Sequence, residues 1–242
     1  MSRILAIIPA RSGSKGLPNK NIKELKHHPL IGWSIEACKK SKLITDIVVS
    51  TDSKIYAEIA NSYGASTPFL RPKALSTDQS TDFDFIHHAI DYFGKINKEY
   101  HNIVHIRPTT PLRDPVLIDQ AISKFQQSEN SSSLRSVHEM SETAFKAFEI
   151  NELSFLKQIG SAKNNIDFAN APRQQFPKTY QANGYVDVLS VNFIKENNLI
   201  HGDKVLPFVT PQVTEIDNIN DFNRLEFELV SNPNFYNKVF NR

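Results

Sequence analysis

"ILAIIPARSGSKGLPNKNI", residues 4–22, decides how the rest of the chain is read. Its first seven residues are all apolar. The run is too short to span a membrane and suits a strand buried in a parallel sheet. The loop that follows holds Arg11, Lys15 and Lys20 together with Gly13 and Gly16. A loop leaving the first strand of such a sheet lies at the carboxyl ends of the strands, where ligands bind. Glycines let backbone N–H groups approach an anion, and the cations neutralise phosphate charge. The stretch contains neither G-x-x-x-x-G-K-[ST] nor G-x-G-x-x-G, so it is neither a P-loop nor a dinucleotide fingerprint.

The chain has 242 residues, with 28 Lys and Arg against 26 Asp and Glu, a formal charge of +2. That balance excludes a nucleic-acid binder held by bulk charge, so any anion site must be local. The length suits one domain with a sizeable core. The single cysteine, Cys38, excludes an internal disulfide and a multi-cysteine metal site, and its apolar helical surroundings predict a buried thiol. With a patterned domain starting at once and no apolar span, a soluble cytoplasmic protein is expected, with no nucleic-acid or membrane partner.

Strand-like and helix-like patterns alternate down the first half. "LIGWSIEACKK" has helical spacing, "DIVVST" reads as a second strand, and Asp52 or Ser53 is placed to cap "KIYAEIANSYG", stopped by Gly64. Phe85, Ile86, Ala89, Ile90 and Phe93 mark another helix, ended by Gly94. "NIVHI" is a strand and "RPTTPLR" a loop. Asp114-Pro115 opens a further helix, with Asp114 as its cap. "SSSLRSV" returns to the sheet. The alternation predicts right-handed βαβ units, hence an α/β fold with a Rossmann-like, mostly parallel sheet flanked by helices. The pattern breaks at residues 138–182, which read as an insertion in a single domain covering 1–242. A hairpin-like piece there precedes a polar loop, residues 161–181. "GYVDVLSV" is a strand again, and "DFNRLEFELV" a closing helix with Asp221 as its cap. The pairs His27-His28 and His87-His88 read as surface histidines.

"IIPARSGSKGLPNKNI", "IVVSTD", "FLRPKALSTD", "IRPTTPLR", "APRQQFPKTYQANGYVDV" and "EIDNINDF" resemble, in order, the sequence blocks of the sugar-acid cytidylyltransferases, the CMP-sialic acid synthetase family. The resemblance runs from residue 4 to about 228. It implies a sheet of the nucleotide-diphospho-sugar transferase type with a small dimerisation insertion. It also implies transfer of CMP from CTP to the anomeric hydroxyl of a nine-carbon α-keto acid sugar, sialic or legionaminic in type, with release of pyrophosphate.

On that resemblance Arg11, Lys15 and Lys20 hold the phosphates, with Pro9, Ala10, Ser14, Asn21 and Arg71 completing the nucleotide side. Asp82 stands where the sialic acid enzymes carry serine. It either accepts from the cytosine amine or only caps the helix that follows. In the second case the backbone of Pro9, Ala10 and Arg11 selects the base. Arg107 replaces a glutamine of those enzymes and faces the sugar, where an arginine equally suits the sugar carboxylate. Thr109, Arg173, Gln174, Gln175, Tyr180 and Asn183 are the other sugar-side candidates. Lys146 resembles a lysine presented across a homodimer interface. Arg113 is expected to pair with Asp114 or the C-terminal region. Glu215 and Asp217, two apart and on one face if the segment is a strand, suit Mg²⁺ (or Mn²⁺), with Asp217 the surer ligand. Arg11, Lys15, Lys20 and Asp217 are thus the catalytic set. Exposed apolar residues of the insertion, Phe145, Phe148, Phe155 and Leu156, predict a dimer. Three other readings stay open: an eight-carbon keto-deoxy acid as acceptor, a nucleotide-sugar-dependent glycosyltransferase, and a nucleotide sensor without catalysis.

Overall fold

The computed structural model describes residues 3–160 and 166–241. The opening apolar run is strand β1, Ile4–Pro9, buried at every position but the last. Short ladder strands β2 (Glu24–Leu25) and β3 (His28–Pro29) lead into helix α1, Leu30–Lys40. Then come β4 (Asp46–Ser50), α2 (Lys54–Ser62), α3 (Asp82–Lys95), β5 (Asn102–His105) and α4 (Pro115–Gln126). The second half holds β6 (Ser133–Glu139), β7 (Phe148–Ile150), β8 (Leu156–Gln158), β9 (Tyr180–Ser190), α5 (Val191–Asn197), β10 (Val205–Val209), α6 (Ile219–Ser231) and α7 (Asn234–Phe240).

Six strands form one sheet in the order β10-β6-β9-β5-β1-β4. Side-chain alternation splits its core in two. Ile4, Ala6, Ile8 and Val104 face α1, α2 and α4, while Leu5, Ile7, Val48 and Ile103 face Phe85, Ile86 and Phe93 of α3. A third cluster explains why α1 is buried on nearly all sides: its Leu30 and Trp33 pack under Phe222, Leu225 and Val239 of the last two helices. Cys38 is buried among these groups, and burial pushes its thiol up to about 12.

β1 pairs in parallel with β4 on one side and β5 on the other. The chain therefore leaves β1 toward one edge and comes back to pair on its other side, with α1 and α3 on opposite faces. That is a topological switch point, and the crevice beyond the carboxyl ends of β1 and β5 is the ligand position of such sheets.

Several expectations shift. β9 runs antiparallel to both β5 and β6, which its apolar sequence does not signal, because a doubly buried strand looks the same in either direction. Asn183-Gly184 lies inside this strand, and Gly184 takes a left-handed φ of 64° near the register shift opposite Arg135 and Val137. The cap of α6 is Asn218, and Asp221 is the third helical residue, closing a capping box. α3 runs past Gly94 to Lys95. Ser53, not Asp52, caps α2. Residues 210–216 form no strand. His28 is half-buried, not a free surface histidine: it stacks on Phe240 at 3.8 Å, and its Nδ1 lies 2.9 Å from the Tyr63 hydroxyl.

Arg113 is fully buried, and its partners are three carbonyl oxygens and the Ser34 hydroxyl (3.2 Å) in place of a carboxylate. It donates to the carbonyls of Tyr185 (2.6 Å), Gly184 (2.9 Å) and Arg107. It thereby ties β9 to the loop after β5. Burial pushes this guanidinium down to about 10.

In the insertion, β7 and β8 form a hairpin. Ile150, Leu153 and Phe155 are exposed there, as are Phe148 and Leu156. Phe145 is half-buried, its ring against Gly160. Of the polar loop, residues 161–165 lie outside the described residues; the rest carries short 3₁₀ turns at Asp167–Asn170 and Arg173–Gln175.

Candidate active site

A cleft of about 520 Å³ opens at the switch point, a volume that suits a ligand of nucleotide size. Pro9 at the end of β1 and Arg11, Ser14, Lys15, Lys20 and Asn21 of the loop after it line the cleft. Arg71, Asp82, Arg107, Thr109 and Asp217 come from other parts of the chain. The cleft wall also includes Gly16 of the basic loop and Pro108 of the loop after β5, together with Ser80, Thr81 and Phe85, for which the sequence offered no charged or motif signal.

The loop is held by its polar ends. The Ser12 amide and hydroxyl donate to Asp52 at 2.7 and 2.6 Å. Burial works to raise Asp52, but these Ser12 hydrogen bonds outweigh it and hold the carboxyl below its usual range. Asn21 is buried and donates to the Arg11 carbonyl at 3.0 Å, closing the loop on itself. Asn19, in a left-handed conformation, accepts from the Tyr56 hydroxyl at 3.3 Å. A Cβ at Gly16 would sit 2.4 Å from the Asp217 carbonyl, so the absence of a side chain lets the basic loop touch the acidic segment.

Asp217 stands at the lip, its side chain 77% exposed. The capping box of α6 fixes its place: Asp221 accepts from the amides of Asp217 and Asn218 at 2.9 and 3.0 Å. Lys20 bridges to it, donating to the Ile216 carbonyl at 2.8 Å and lying 3.3 Å from the Asp217 carboxylate. Glu215 does not line the cleft; it accepts from the Thr109 hydroxyl at 3.2 Å.

Arg11 and Lys15 converge on Asp78, Arg11 at 3.0 Å. Asp78 thus occupies the cations that a phosphate would need. Replacing Asp78 with alanine removes this competitor. On the resemblance to CTP-using enzymes, the expected result is a CTP KM lower by about twofold to fivefold, the scale of an exposed ion pair, checked by steady-state kinetics at low salt.

Arg71 is buried. It donates to the Ser50 hydroxyl at 3.1 Å and to the Ser50 carbonyl, and its guanidinium lies 5.0 Å from the Phe85 ring centre. Burial pushes it down to about 10. Asp82 is the first residue of α3 and not its cap, which is Thr81. Its carboxylate takes the Arg107 guanidinium at 2.6 Å.

The remaining candidates lie elsewhere. Ala10 is fully buried, and its amide is committed to the Ser50 carbonyl at 2.9 Å. Asn183 is buried and donates to the Thr210 hydroxyl at 2.6 Å, a structural contact. Arg173 donates to Glu139 and to the Met140 carbonyl at 3.0 and 2.9 Å. With Gln174 it lines a separate depression on the insertion. Gln175 closes the turn beside it. Lys146 lies over the Phe176 ring, and Tyr180 is half-exposed on β9 beyond the cleft.

Behind Arg107 lies His105, fully buried. Burial, with Arg107 adding to it, pushes its imidazole down to about 3. An unfolded histidine titrates near 6.5. Between those values the unfolded chain binds a proton that the folded one does not, so stability falls as pH drops through 6.5. The expected loss from this group is about 2 kcal/mol between pH 7 and 5. Comparing wild type with His105→Gln in urea melts at both pH values checks it.

The sequence model of a cytidylyltransferase family matches residues 5–186, three quarters of the chain. The chain belongs to the cytidylyltransferase family. It is 32% identical over 228 residues to an N-acylneuraminate cytidylyltransferase of Escherichia coli O18:K1:H7. That match covers 94% of this chain, which spans about half (51%) of that relative's length. A CMP-N,N'-diacetyllegionaminic acid synthase of Campylobacter jejuni is 31% identical over 246 aligned positions, covering 99% of this chain and all of that protein. Among solved structures, the CMP:2-keto-3-deoxy-manno-octonic acid synthetase complexed with CTP superposes with a TM-score of 0.70 at 13% identity, covering 95% of this chain and 99% of that one. At that identity the likeness establishes the cytidylyltransferase fold.

No helix among the described residues is long and apolar enough to cross a membrane.

Proposed function

We propose that this cytidylyltransferase-family chain transfers CMP from CTP to the anomeric hydroxyl of a nine-carbon α-keto acid sugar of sialic or legionaminic type. The observation that carries the reading is the meeting of Arg11, Lys15, Lys20 and Asp217 in one cleft at the switch point of the sheet. In the proposed reaction the anomeric oxygen bonds to the α-phosphorus, the bond from that phosphorus to pyrophosphate breaks, and the hydroxyl proton leaves to solvent. Charge grows on the departing pyrophosphate. Arg11, Lys15 and Lys20 are the groups proposed to meet it, each fixed donor worth on the order of 3 kcal/mol of barrier.

Among the described residues no group of three or more His, Cys, Asp or Glu side chains is placed to hold a metal. The donors at the lip nonetheless fit Mg²⁺ (or Mn²⁺). Such an ion takes one or two carboxylates together with substrate phosphates and water, and Asp217 supplies one; Glu215, held by Thr109 outside the cleft lining, would act through water. Bound there, the ion would supply Lewis-acid polarisation of the α-phosphate.

Lys146, Arg173, Gln174, Gln175 and Tyr180 sit outside the cleft of their own chain. We assign them to a homodimer formed through the exposed apolar hairpin of the insertion. Sedimentation at micromolar concentration is expected to return a dimer; a monomer there contradicts this arrangement.

The activity is tested by pyrophosphate release with CTP, UTP, GTP and ATP against a panel of acidic sugars. Release is expected with CTP and a nine-carbon acid. Release with only an eight-carbon keto-deoxy acid overturns the acceptor assignment, and release with no acid sugar overturns the reading.

A further inference from the structure

Three elements converge on Arg107. It follows β5 and lines the cleft. One guanidinium nitrogen donates to Asp82 of α3 at 2.6 Å, the other to Asp187 of β9 at 2.9 Å. Asp187 is buried to 1% exposure, and its second carboxylate oxygen has no hydrogen-bond partner among the described residues. The Nε2 atom of His105 is likewise without one. The His105 Nδ1 lies 3.9 Å from Asp187 and 4.0 Å from Asp82. Arg135 stands 4.0 Å from Asp187 on the far side.

The charges in this group cancel. Asp82 and Asp187 carry two negatives, Arg107 and Arg135 two positives, and His105 is neutral. A guanidinium already flanked by two carboxylates has little attraction left for a third, which would gather three anions around one cation. It keeps N–H groups to spare, because its fork carries five. Asp82 also faces the cleft with acceptor capacity. Such a surface welcomes a neutral group that both donates and accepts. Asp187 and His105 do not line the cleft, so Asp82 and Arg107 are the groups a ligand meets there, and a site built to hydrogen-bond its ligand discriminates strongly against one lacking the matching group.

We propose that Asp82, Arg107 and Asp187 form one specificity-determining unit, a charge-balanced wall that hydrogen-bonds a hydroxyl or amide group of the acid sugar and turns its carboxylate away. Asp187 is the positioning residue that sets Arg107 against Asp82. The inference rests on the reading of the cleft as a site for CTP and a sugar acid. It removes Arg107 from the role of carboxylate clamp.

The test uses the full-length protein, with folding checked by thermal unfolding. Asp187→Asn keeps the shape and removes one counter-charge. The expected result is an acceptor KM raised about tenfold or more, with CTP KM within about twofold of wild type. Asp82→Asn, nearer the surface, is expected to raise the acceptor KM to the same extent, and that rise decides the matter if Asp187→Asn does not fold. A second readout separates this role from a merely structural one. In the double variant D82N/D187N, Arg107 stands without its carboxylates, so a simple α-keto carboxylate such as pyruvate is expected to become an inhibitor competitive with the sugar. Wild type is expected to resist pyruvate at the same concentration. Unchanged acceptor KM in the single variants, or no new inhibition in the double variant, overturns the proposal while leaving the cytidylyl-transfer reading intact. Wild-type protein that releases no pyrophosphate from CTP with any acid sugar overturns both.

Discussion

Asp217→Ala is expected to abolish turnover, lowering kcat by about 100-fold to 1,000-fold, while CTP still binds with weaker affinity. The fold supports a clean reading of this variant. The side chain is 77% exposed and makes no core contact. The backbone at the lip is held by Asp221 and Asn218, which remain. Thermal stability should therefore stay near wild type. The loss falls on the group proposed to hold the metal and to orient Lys20, which lies 3.3 Å away. CTP retains Arg11, Lys15 and the backbone of the loop, so its affinity falls less than kcat. Stopped pyrophosphate-release assays alongside calorimetry separate the two quantities. Unchanged turnover removes Asp217 from the chemistry.

The largest effect on stability is expected at Arg113. Arg113→Leu fills a similar space but strips the carbonyls of Tyr185, Gly184 and Arg107 of their shared donor. Each buried carbonyl left bare costs about 1–3 kcal/mol. Relief from burying a charge without a counter-ion offsets part of this. The net expectation is a loss of about 3–5 kcal/mol, read from urea denaturation. The site should suffer too, because Arg113 anchors the loop that carries Arg107 and Thr109. A variant as stable as wild type shows that the carbonyls find other donors and that the clamp is dispensable.

The sequence carried the sheet and its helices well because their patterns are local. "ILAIIP" has one physical solution beside a basic glycine loop, and Asp114-Pro115 announces a helix by its own chemistry. The direction of β9 was hidden, since "YVDVLS" is buried on both faces and pairing direction is set by distant strands. Cap positions slipped by one to three residues where several polar side chains compete, as with Asn218 and Asp221.

The basic side of the cleft was readable because its cations cluster in one loop. Asp78 and Asp187 were not, as each acts through contact with a residue remote in sequence: Asp78 through Arg11, Asp187 through Arg107. Arg113 misled for a related reason. An arginine beside an aspartate suggests an ion pair, yet this one is turned inward to carbonyls on β9. Arg173 and Lys146 carry substrate-like chemistry but lie on the insertion, away from the cleft of their own chain.

The central claim is that the loop after β1 grips the triphosphate of CTP. Isothermal titration of the full-length protein with CTP, with and without Mg²⁺, tests it most directly. The account predicts saturable one-site binding that tightens with magnesium and weakens at least tenfold in the double variant R11A/K15A. Folded wild-type protein that takes up no CTP in either condition, or a double variant that binds as well as wild type, would contradict it.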